Sequence, residues 1–220
     1  DCEALKAYRV TGAVKASSTK ERYVVRPEGE VKKKIALLDF GLKRNIYREL
    51  VKRGAEVTVC PCTTTAGEIQ ALGVDGIMLS NGPGDPAENV EIIANLKEIC
   101  KLGIPLFGIC LGHQLLALAH GFRTEKLKYG HRGANQPVKN LETGRVYISS
   151  QNHGYAVVSG TIDSAVAREL FVNVNDNTCE GIRYLDCPAF SVQFHPEACG
   201  GPLDTQALFD EFFAMMKEGE

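Results

Sequence analysis

The sequence predicts an α/β fold: a three-layer, mostly parallel sheet with helices on both faces and a nucleophile elbow at Cys110. Three observations predict it. Short unbroken apolar runs, such as Ile35-Ala36-Leu37-Leu38 and Gly76-Ile77-Met78-Leu79, have the length and continuity of strands buried on both faces. Segments with helical spacing alternate with those runs, and strand–helix alternation implies right-handed crossovers and parallel pairing. Finally, Gly108-Ile109-Cys110-Leu111-Gly112 follows the run Ile104-Pro105-Leu106-Phe107. A nucleophile set on a turn from strand to helix needs small residues on either side.

The elements follow in chain order. Residues 1–33 mix Ala, Lys, Ser, Thr and Glu without an apolar period, and are read as a linker or the tail of a preceding domain. Residues 34–220 form the principal domain. Ile35 to Phe40 is its first strand; Leu42, Ile46, Leu50 and Val51 mark a helix that stops at Gly54. Glu56 to Cys60 is a strand, Ala66 to Leu72 a short helix, and Gly76 to Ser80 a third strand. The loop Asn81-Gly82-Pro83-Gly84-Asp85-Pro86 follows, then a helix carrying Ile92, Ile93, Leu96, Ile99 and Cys100. Ile104 to Ile109 delivers Cys110, with a helix from His113 to Ala119 behind it. The second half reads as strands at Val146 to Ser150, Ala156 to Val158, Gly181 to Tyr184 and Phe190 to Phe194. A closing helix from Thr205 to about Lys217 buries Leu208, Phe209, Phe212 and Met216.

The totals exclude several classes of function. A formal charge of −2 over 220 residues offers no footprint for nucleic acid, and Lys32-Lys33-Lys34 reads as a solvated strand entry. No apolar run approaches the roughly 18 residues of a membrane span, and no signal peptide opens the chain. The 8 cysteines include no Cys-x-x-Cys pair, so structural zinc is not expected and dispersed thiols suit a reducing cytoplasm. His113, His120, His131 and His153 lack His-x-x-x-His spacing and are taken as non-ligands.

Chemistry gathers at the ends of the strands, where open parallel sheets place their sites. Cysteine is often only a small buried hydrophobe, but flanking glycines serve no purpose for one. At a helix N-terminus the Cys110 thiolate is favoured by unpaired N–H groups. His195-Pro196-Glu197 follows the run Phe190 to Phe194. Its period of two aims His195 and Glu197 to one side, so the carboxylate can orient the imidazole as base. The Gly82 and Gly84 loop can offer one N–H to a developing oxyanion and Leu111 another. It lacks the Gly-Lys-Ser/Thr of a phosphate loop. Gln151-Asn152-His153-Gly154-Tyr155 is a polar cluster that reads equally well as a surface turn.

Together, Gly108 to Gln114, His195-Pro196-Glu197 and the Asn81 to Pro86 loop resemble the triad-type (class I) glutamine amidotransferases. Asp39 to Ile46, Gly130 to Pro137 and Ser150 to Tyr155 are most similar to the small, glutamine-hydrolysing subunits of carbamoyl-phosphate synthetases. The similarity runs from about residue 34 to 216. It implies a Cys110 γ-glutamyl thioester, with His195 as acid and base, Glu197 orienting it, and an oxyanion held near Gly82, Gly84 and Leu111. It further implies that Gln114, Asn152, Gly154 and Tyr155 bind L-glutamine. The ammonia would pass to a large synthetase subunit, which makes carbamoyl phosphate from ATP and bicarbonate with Mg for arginine and pyrimidine synthesis. No cofactor or metal is implied for this chain, nor a nucleic-acid or membrane partner. After the histidine such subunits commonly read Pro-Glu-Ala-Ser-Pro-Gly-Pro-His-Asp, where this chain has Pro196-Glu197-Ala198-Cys199-Gly200-Gly201-Pro202-Leu203-Asp204. Other readings of the same residues are a glutaminase subunit of another amidotransferase, a non-catalytic regulatory module, and a thiol peptidase or γ-glutamyl hydrolase.

Overall fold

A computed structural model describes residue 3, residues 11–199 and residues 203–216. One ten-stranded sheet runs through it. From one edge its strands are β1 (Tyr23–Val25), β3 (Ala55–Pro61), β2 (Lys33–Asp39), β4 (Gly76–Leu79) and β5 (Leu106–Ile109). Beyond them come β10 (Ala189–Val192), β9 (Cys179–Tyr184), β8 (Ala167–Asn173), β6 (Thr124–Asn140) and β7 (Val146–Val157). The central strands β3, β2, β4, β5 and β10 are mutually parallel. β4, β5, β10 and most of β2 are buried on both faces because helices cover both, whereas β3 alternates, with Glu56 and Thr58 half-buried.

On one face lie α3 (Ala66–Leu72), α4 (Val90–Cys100) and α5 (Leu111–Ala119), burying Ile69, Ile92, Leu96 and Leu115 against Leu38, Ile77 and Leu79. The opposite face is covered by α2 (Arg44–Lys52) and α6 (Ala207–Met215). There Ile46, Leu50, Phe209 and Phe212 meet Met78, Phe107 and Phe190, with Phe107 and Phe190 stacked at 4.3 Å. The Leu208, Phe209, Phe212 and Met216 stripe is buried as its spacing predicts; Lys217 lies outside the described residues. Thr65 and Glu68 close a capping box at the start of α3, and this satisfies N–H groups the helix itself leaves unpaired.

The three-layer α/β class stands, with two corrections of detail. The sheet is mixed rather than mostly parallel, because β6, β7, β8 and β9 extend it with antiparallel pairs. Long β6 carries Lys, Glu, Arg and Gly and is largely exposed, so no apolar period announced it. Residues 151–155 are also no turn: they continue β7, which joins the two short strands expected there into one.

The segment before residue 34 contributes a short helix α1 (Ala13–Ser17) and the edge strand β1, antiparallel to β3. Val14 is buried, the Thr19 N–H donates to Asp39 Oδ2 at 2.8 Å, and Ser18 Oγ accepts from the Cys62 N–H at 2.9 Å. β1 is the run Tyr23-Val24-Val25, only three residues long, which is too short to establish a period by itself.

Where α5 crosses β4, backbones meet. A Cβ on Gly112 would stand 2.5 Å from the Leu79 carbonyl oxygen, and the Gly112 N–H donates to the Ser80 carbonyl at 3.1 Å. Gly112→Ala therefore forces helix from strand, and a destabilisation of about 3 kcal/mol is expected. Urea unfolding measures it; an unchanged midpoint would disprove the contact.

Candidate active site

Sheet topology brings the chemistry together. β5 and β10 are parallel neighbours in register, with Val192 beside Ile109, so the residues that follow each strand emerge side by side. The Cys110 N–H donates to the Val192 carbonyl at 2.8 Å. Cys110 itself has φ 54° and ψ −103°, outside the ordinary regions for a side-chain-bearing residue. Such a conformation costs about 1–3 kcal/mol and persists only where its surroundings enforce it. Here the strand bond before it and the helix after it do so, and they hold the thiol 5 % exposed at the N-cap of α5.

His195 lies just past β10, its N–H bonded to the Ser150 carbonyl of β7 at 2.9 Å. Its Nδ1 is 2.8 Å from Glu197 Oε1, and both side chains are buried. Burial opposes the imidazolium, but hydrogen bonds to Cys110 and Glu197 and their negative charge outweigh it and raise His195 to about 9. Nδ1–H donating to the carboxylate leaves Nε2 for the thiol. Glu197 is anchored in turn: Asn45 Nδ2 donates to its backbone carbonyl, and Lys43 Nζ stands 3.9 Å from Oε1.

On the other side of Cys110 is a small cavity of about 120 Å³, lined by Gly82, Pro83, Gly84, Gln114, Asn152, His153, Gly154 and Tyr155. It adjoins an open cleft of about 590 Å³ that also reaches Cys110, Asn152 and His195. The strand end thus gathers Cys110, His195, Gly82, Gly84, Gln114, Asn152, Gly154 and Tyr155 around these two spaces. Glu197 stands behind His195, and Leu111 is buried beneath the loop.

Gly82 must be glycine here. A Cβ would lie 2.2 Å from the Phe40 carbonyl oxygen and 2.6 Å from Leu111 Cδ2. That close approach lays the loop over the elbow. The N–H of Leu111, first residue of α5, has no partner within the helix.

Gln114 Nε2 donates to the Tyr155 carbonyl at 2.7 Å and to Gln193 Oε1 at 2.9 Å. Both amide hydrogens are therefore committed, and Gln114 offers a ligand only its Oε1 acceptor. Two further imidazoles stand nearby but stay neutral. Complete burial above all lowers His113 to about 3, and burial lowers His153 to about 4. Of these three rings, His195 alone is held as a charged acid near neutral pH.

Several residues at this site carried no predicted role. Asp39 Oδ1 accepts from the N–H groups of Gly41 and Leu42, both at 2.8 Å. Ser80 Oγ accepts from Phe40 N–H at 2.9 Å, and Asn81 Oδ1 from Lys43 N–H at 3.0 Å. Ser80 and Asn81 tie the loop after β2 to the loop after β4, while Asp39 folds the first of these loops back on itself. The run Asp39 to Ile46 was a recognisable signature, yet its work is hydrogen bonding between loops that only the sheet brings together. Ser17 and Tyr23 also line the open cleft.

His131 pairs with Glu180 Oε1 at 3.2 Å and Asp176 Oδ2 at 2.8 Å, and so ties β6 to β9 and to the turn before it. The Glu180 hydrogen bond above all, with Asp176, raises His131 to about 9 from an ordinary 6.5 against the effect of burial. Because the folded value is raised, the contribution is complete below pH 6.5 and disappears as pH rises through about 9. His195 acts with the same sign over the same window. His131→Gln should therefore reduce, without abolishing, the fall in Tm from pH 6.5 to 9; an equal fall in both proteins would disprove the linkage.

A family model described as glutamine amidotransferase class-I matches residues 36–215. A carbamoyl phosphate synthase small chain of Bacillus cereus is 53% identical over 98% of this chain and 59% of its own length. One from Methanopyrus kandleri is 54% identical over 85% of this chain and 52% of its own. This chain therefore spans little more than half the length of these curated relatives. The crystal structure of a putative GMP synthase protein from Thermoplasma acidophilum has a TM-score of 0.73 at 21% identity, covering 86% of this chain and 94% of that one. At that identity the likeness is one of fold. With the family model covering residues 36–215, and with them Cys110, His195 and Glu197, the chain belongs to the class I glutamine amidotransferase family.

Proposed function

We propose that this chain hydrolyses the side-chain amide of L-glutamine and supplies the ammonia to a carbamoyl-phosphate-forming synthetase subunit. The observation that carries the reading is the Cys110, His195 and Glu197 array opening onto a cavity lined by Gly82, Gln114, Asn152, Gly154 and Tyr155. Identity of about half to small chains of carbamoyl phosphate synthase supports the destination.

In this mechanism the Cys110 thiolate, paired with the His195 imidazolium, attacks the amide carbon. The carbonyl π electrons move to oxygen, and the backbone N–H groups of Leu111 and of the Gly82 to Gly84 loop receive that charge. When the tetrahedral species collapses, His195 gives its proton to the departing nitrogen, which leaves as ammonia. Neutral His195 then takes a proton from water as that water attacks the γ-glutamyl thioester. The second collapse releases glutamate and returns the thiolate–imidazolium pair. Glu197 keeps the ring in one tautomer throughout. Gln114 Oε1, Asn152, Gly154 and Tyr155 hold the amino-acid end of the substrate.

The chemistry assigned to this chain uses its own side chains and backbone; ATP, bicarbonate and Mg belong to the partner's reaction. Residues 34–220 carry the glutaminase chemistry, and the segment before them packs on the same sheet through β1 and reaches the cleft with Ser17 and Tyr23. Free thiols at the described cysteines favour the cytoplasm as its compartment. No described helix is long and apolar enough to cross a membrane.

The test is glutamate and ammonia release from glutamine by the purified chain, alone and with a carbamoyl-phosphate synthetase large subunit. Glutamine-dependent glutamate release is expected, with carbamoyl phosphate forming when the large subunit is present. No glutamate under either condition would overturn the glutaminase reading. Glutamate without glutamine-supported carbamoyl phosphate would overturn the destination.

A further inference from the structure

At the opposite, amino-terminal edge of the same strands, three elements bring together side chains that are far apart in sequence. Cys100 ends α4, His120 is the C-cap of α5, and Cys187 lies in the turn from β9 to β10. Their Sγ, imidazole nitrogen and Sγ atoms all lie within 4.8 Å of one another. Cys187 Sγ is 3.8 Å from His120 Nε2, and Asp186 Oδ1 is 3.5 Å from the same nitrogen. We propose that Cys100, His120 and Cys187 form a zinc site, with its fourth position facing Asp186 and solvent.

The distances suit that ion. With Zn–S of about 2.3 Å and Zn–N of about 2.05 Å, tetrahedral angles place sulfur and nitrogen about 3.55 Å apart. A nitrogen and a carboxylate oxygen on such a centre stand about 3.35 Å apart. The observed 3.8 and 3.5 Å exceed these edges by only a few tenths, a gap closed by small side-chain rotations.

The imidazole is also prepared as a ligand. His120 Nδ1 lies 2.8 Å from the Leu116 carbonyl oxygen, one turn back on α5. Nδ1–H donating there puts the free lone pair on Nε2, the atom that faces Cys187 and Asp186. A backbone carbonyl that fixes the tautomer from behind is the usual arrangement at a metal-bound histidine. A thiol hydrogen bond alone would account for Cys187 beside His120, but not for a second thiol brought to the same point.

Access is provided. The three side chains line a surface recess of about 530 Å³ together with Lys97, Glu98, Lys101 and Asp186, and Lys101 is neutralised by Glu98 at 2.7 Å. In the absence of metal, the neighbouring Cys100 thiol and burial hold Cys187 protonated, well above the ordinary thiol value. Binding is therefore an exchange: one Zn²⁺ enters, two S–H bonds break, two Zn–S bonds form and two protons leave to solvent. Nothing is oxidised or reduced.

Spacing along the chain did not announce zinc, since no Cys-x-x-Cys pair is present. Each ligand instead comes from a different element, and all three are fixed by packing against the sheet. The site fastens the ends of α4 and α5 to the turn that leads into β10, and β10 leads to His195.

Titration of the reduced, metal-free chain with Co²⁺ and then Zn²⁺ tests the site. One equivalent of Co²⁺ should give intense tetrahedral ligand-field bands and thiolate charge transfer, both displaced by Zn²⁺. Cys100→Ser, Cys187→Ser and His120→Gln should each weaken Zn²⁺ binding at least about 100-fold. Cys110→Ser should leave the titration unchanged. X-ray absorption of the zinc-loaded wild-type chain gives a readout that no misfolded variant can confuse, with two sulfurs and at least one nitrogen expected around the metal. Binding lost with Cys110 rather than with Cys100 or Cys187, a shell of nitrogen and oxygen alone, or no uptake at about 10 µM Zn²⁺ would each overturn the proposal.

Discussion

Replacing Cys110 with alanine should lower glutamine hydrolysis by at least about 10⁴-fold while leaving glutamine affinity within a few-fold of wild type. Removing one member of a nucleophile triad costs as much as about 10⁶ in turnover, with residual catalysis left to the oxyanion donors and binding. Here the split between kcat and binding is informative. Gln114, Asn152 and Tyr155, which line the cavity and are proposed to hold the amino-acid end of glutamine, are untouched by the substitution. Alanine also bears the same positive-φ backbone penalty at φ 54° as cysteine, so the elbow geometry is retained and stability compares like with like. Ammonia release at saturating glutamine and calorimetric titration with glutamine measure the two quantities. Turnover within tenfold of wild type would remove Cys110 from the mechanism.

The second large effect belongs to Glu197→Gln. A triad carboxylate replaced by its amide costs up to about 10⁴ in turnover, because the ring loses its enforced tautomer and the imidazolium its countercharge. A fall of about 10² to 10⁴ is expected, with a pH signature that a merely structural defect would not produce. Burial works against the charged ring, and the hydrogen bonds to Cys110 and Glu197 bring it to about 9. In wild type, kcat/KM should therefore decline as pH rises through about 9, where the acid that protonates the leaving nitrogen is lost. Glutamine in place of glutamate removes one of the two charges that raise the ring, so the decline must move to lower pH. Stability follows the same sign. A folded value above 6.5 contributes stability fully below that pH and loses it through about 9, and the variant should show less of this loss. An alkaline limb that stays in place in Glu197→Gln would remove Glu197 from contact with the reacting base.

The parallel half of the fold was legible in sequence because its strands are buried on both faces. Continuous apolar runs such as Ile35 to Leu38 and Leu106 to Ile109 have few other uses. The antiparallel half was legible only in part. β6 is hydrogen-bonded on both sides yet largely exposed, and carries Lys, Arg, Gly and Pro. Cross-strand partners, not burial, make it a strand, and a linear pattern does not contain its partners. The same cause hid the strand character of residues 151–155, which pair along β6 and of which Asn152 to Tyr155 line the small cavity. It also hid Ser80 and Asn81, whose side chains bond the backbone of a neighbouring loop, and Asp39, which accepts from the distant Thr19 N–H.

By itself, the sequence determined the local chemistry: a cysteine on a glycine-flanked turn, a histidine and glutamate two residues apart, and a glycine loop at a strand end. These depend on neighbours along the chain, where spacing of one or two residues is already geometry. Only the tertiary structure decided that β10 lies beside β5 and not elsewhere in the sheet. That adjacency puts His195 against Cys110 at the carboxyl ends of these strands and Cys187 against Cys100 and His120 at their amino ends. Strand order is chosen by the burial of both sheet faces at once, a property of the whole core that no short stretch of residues records.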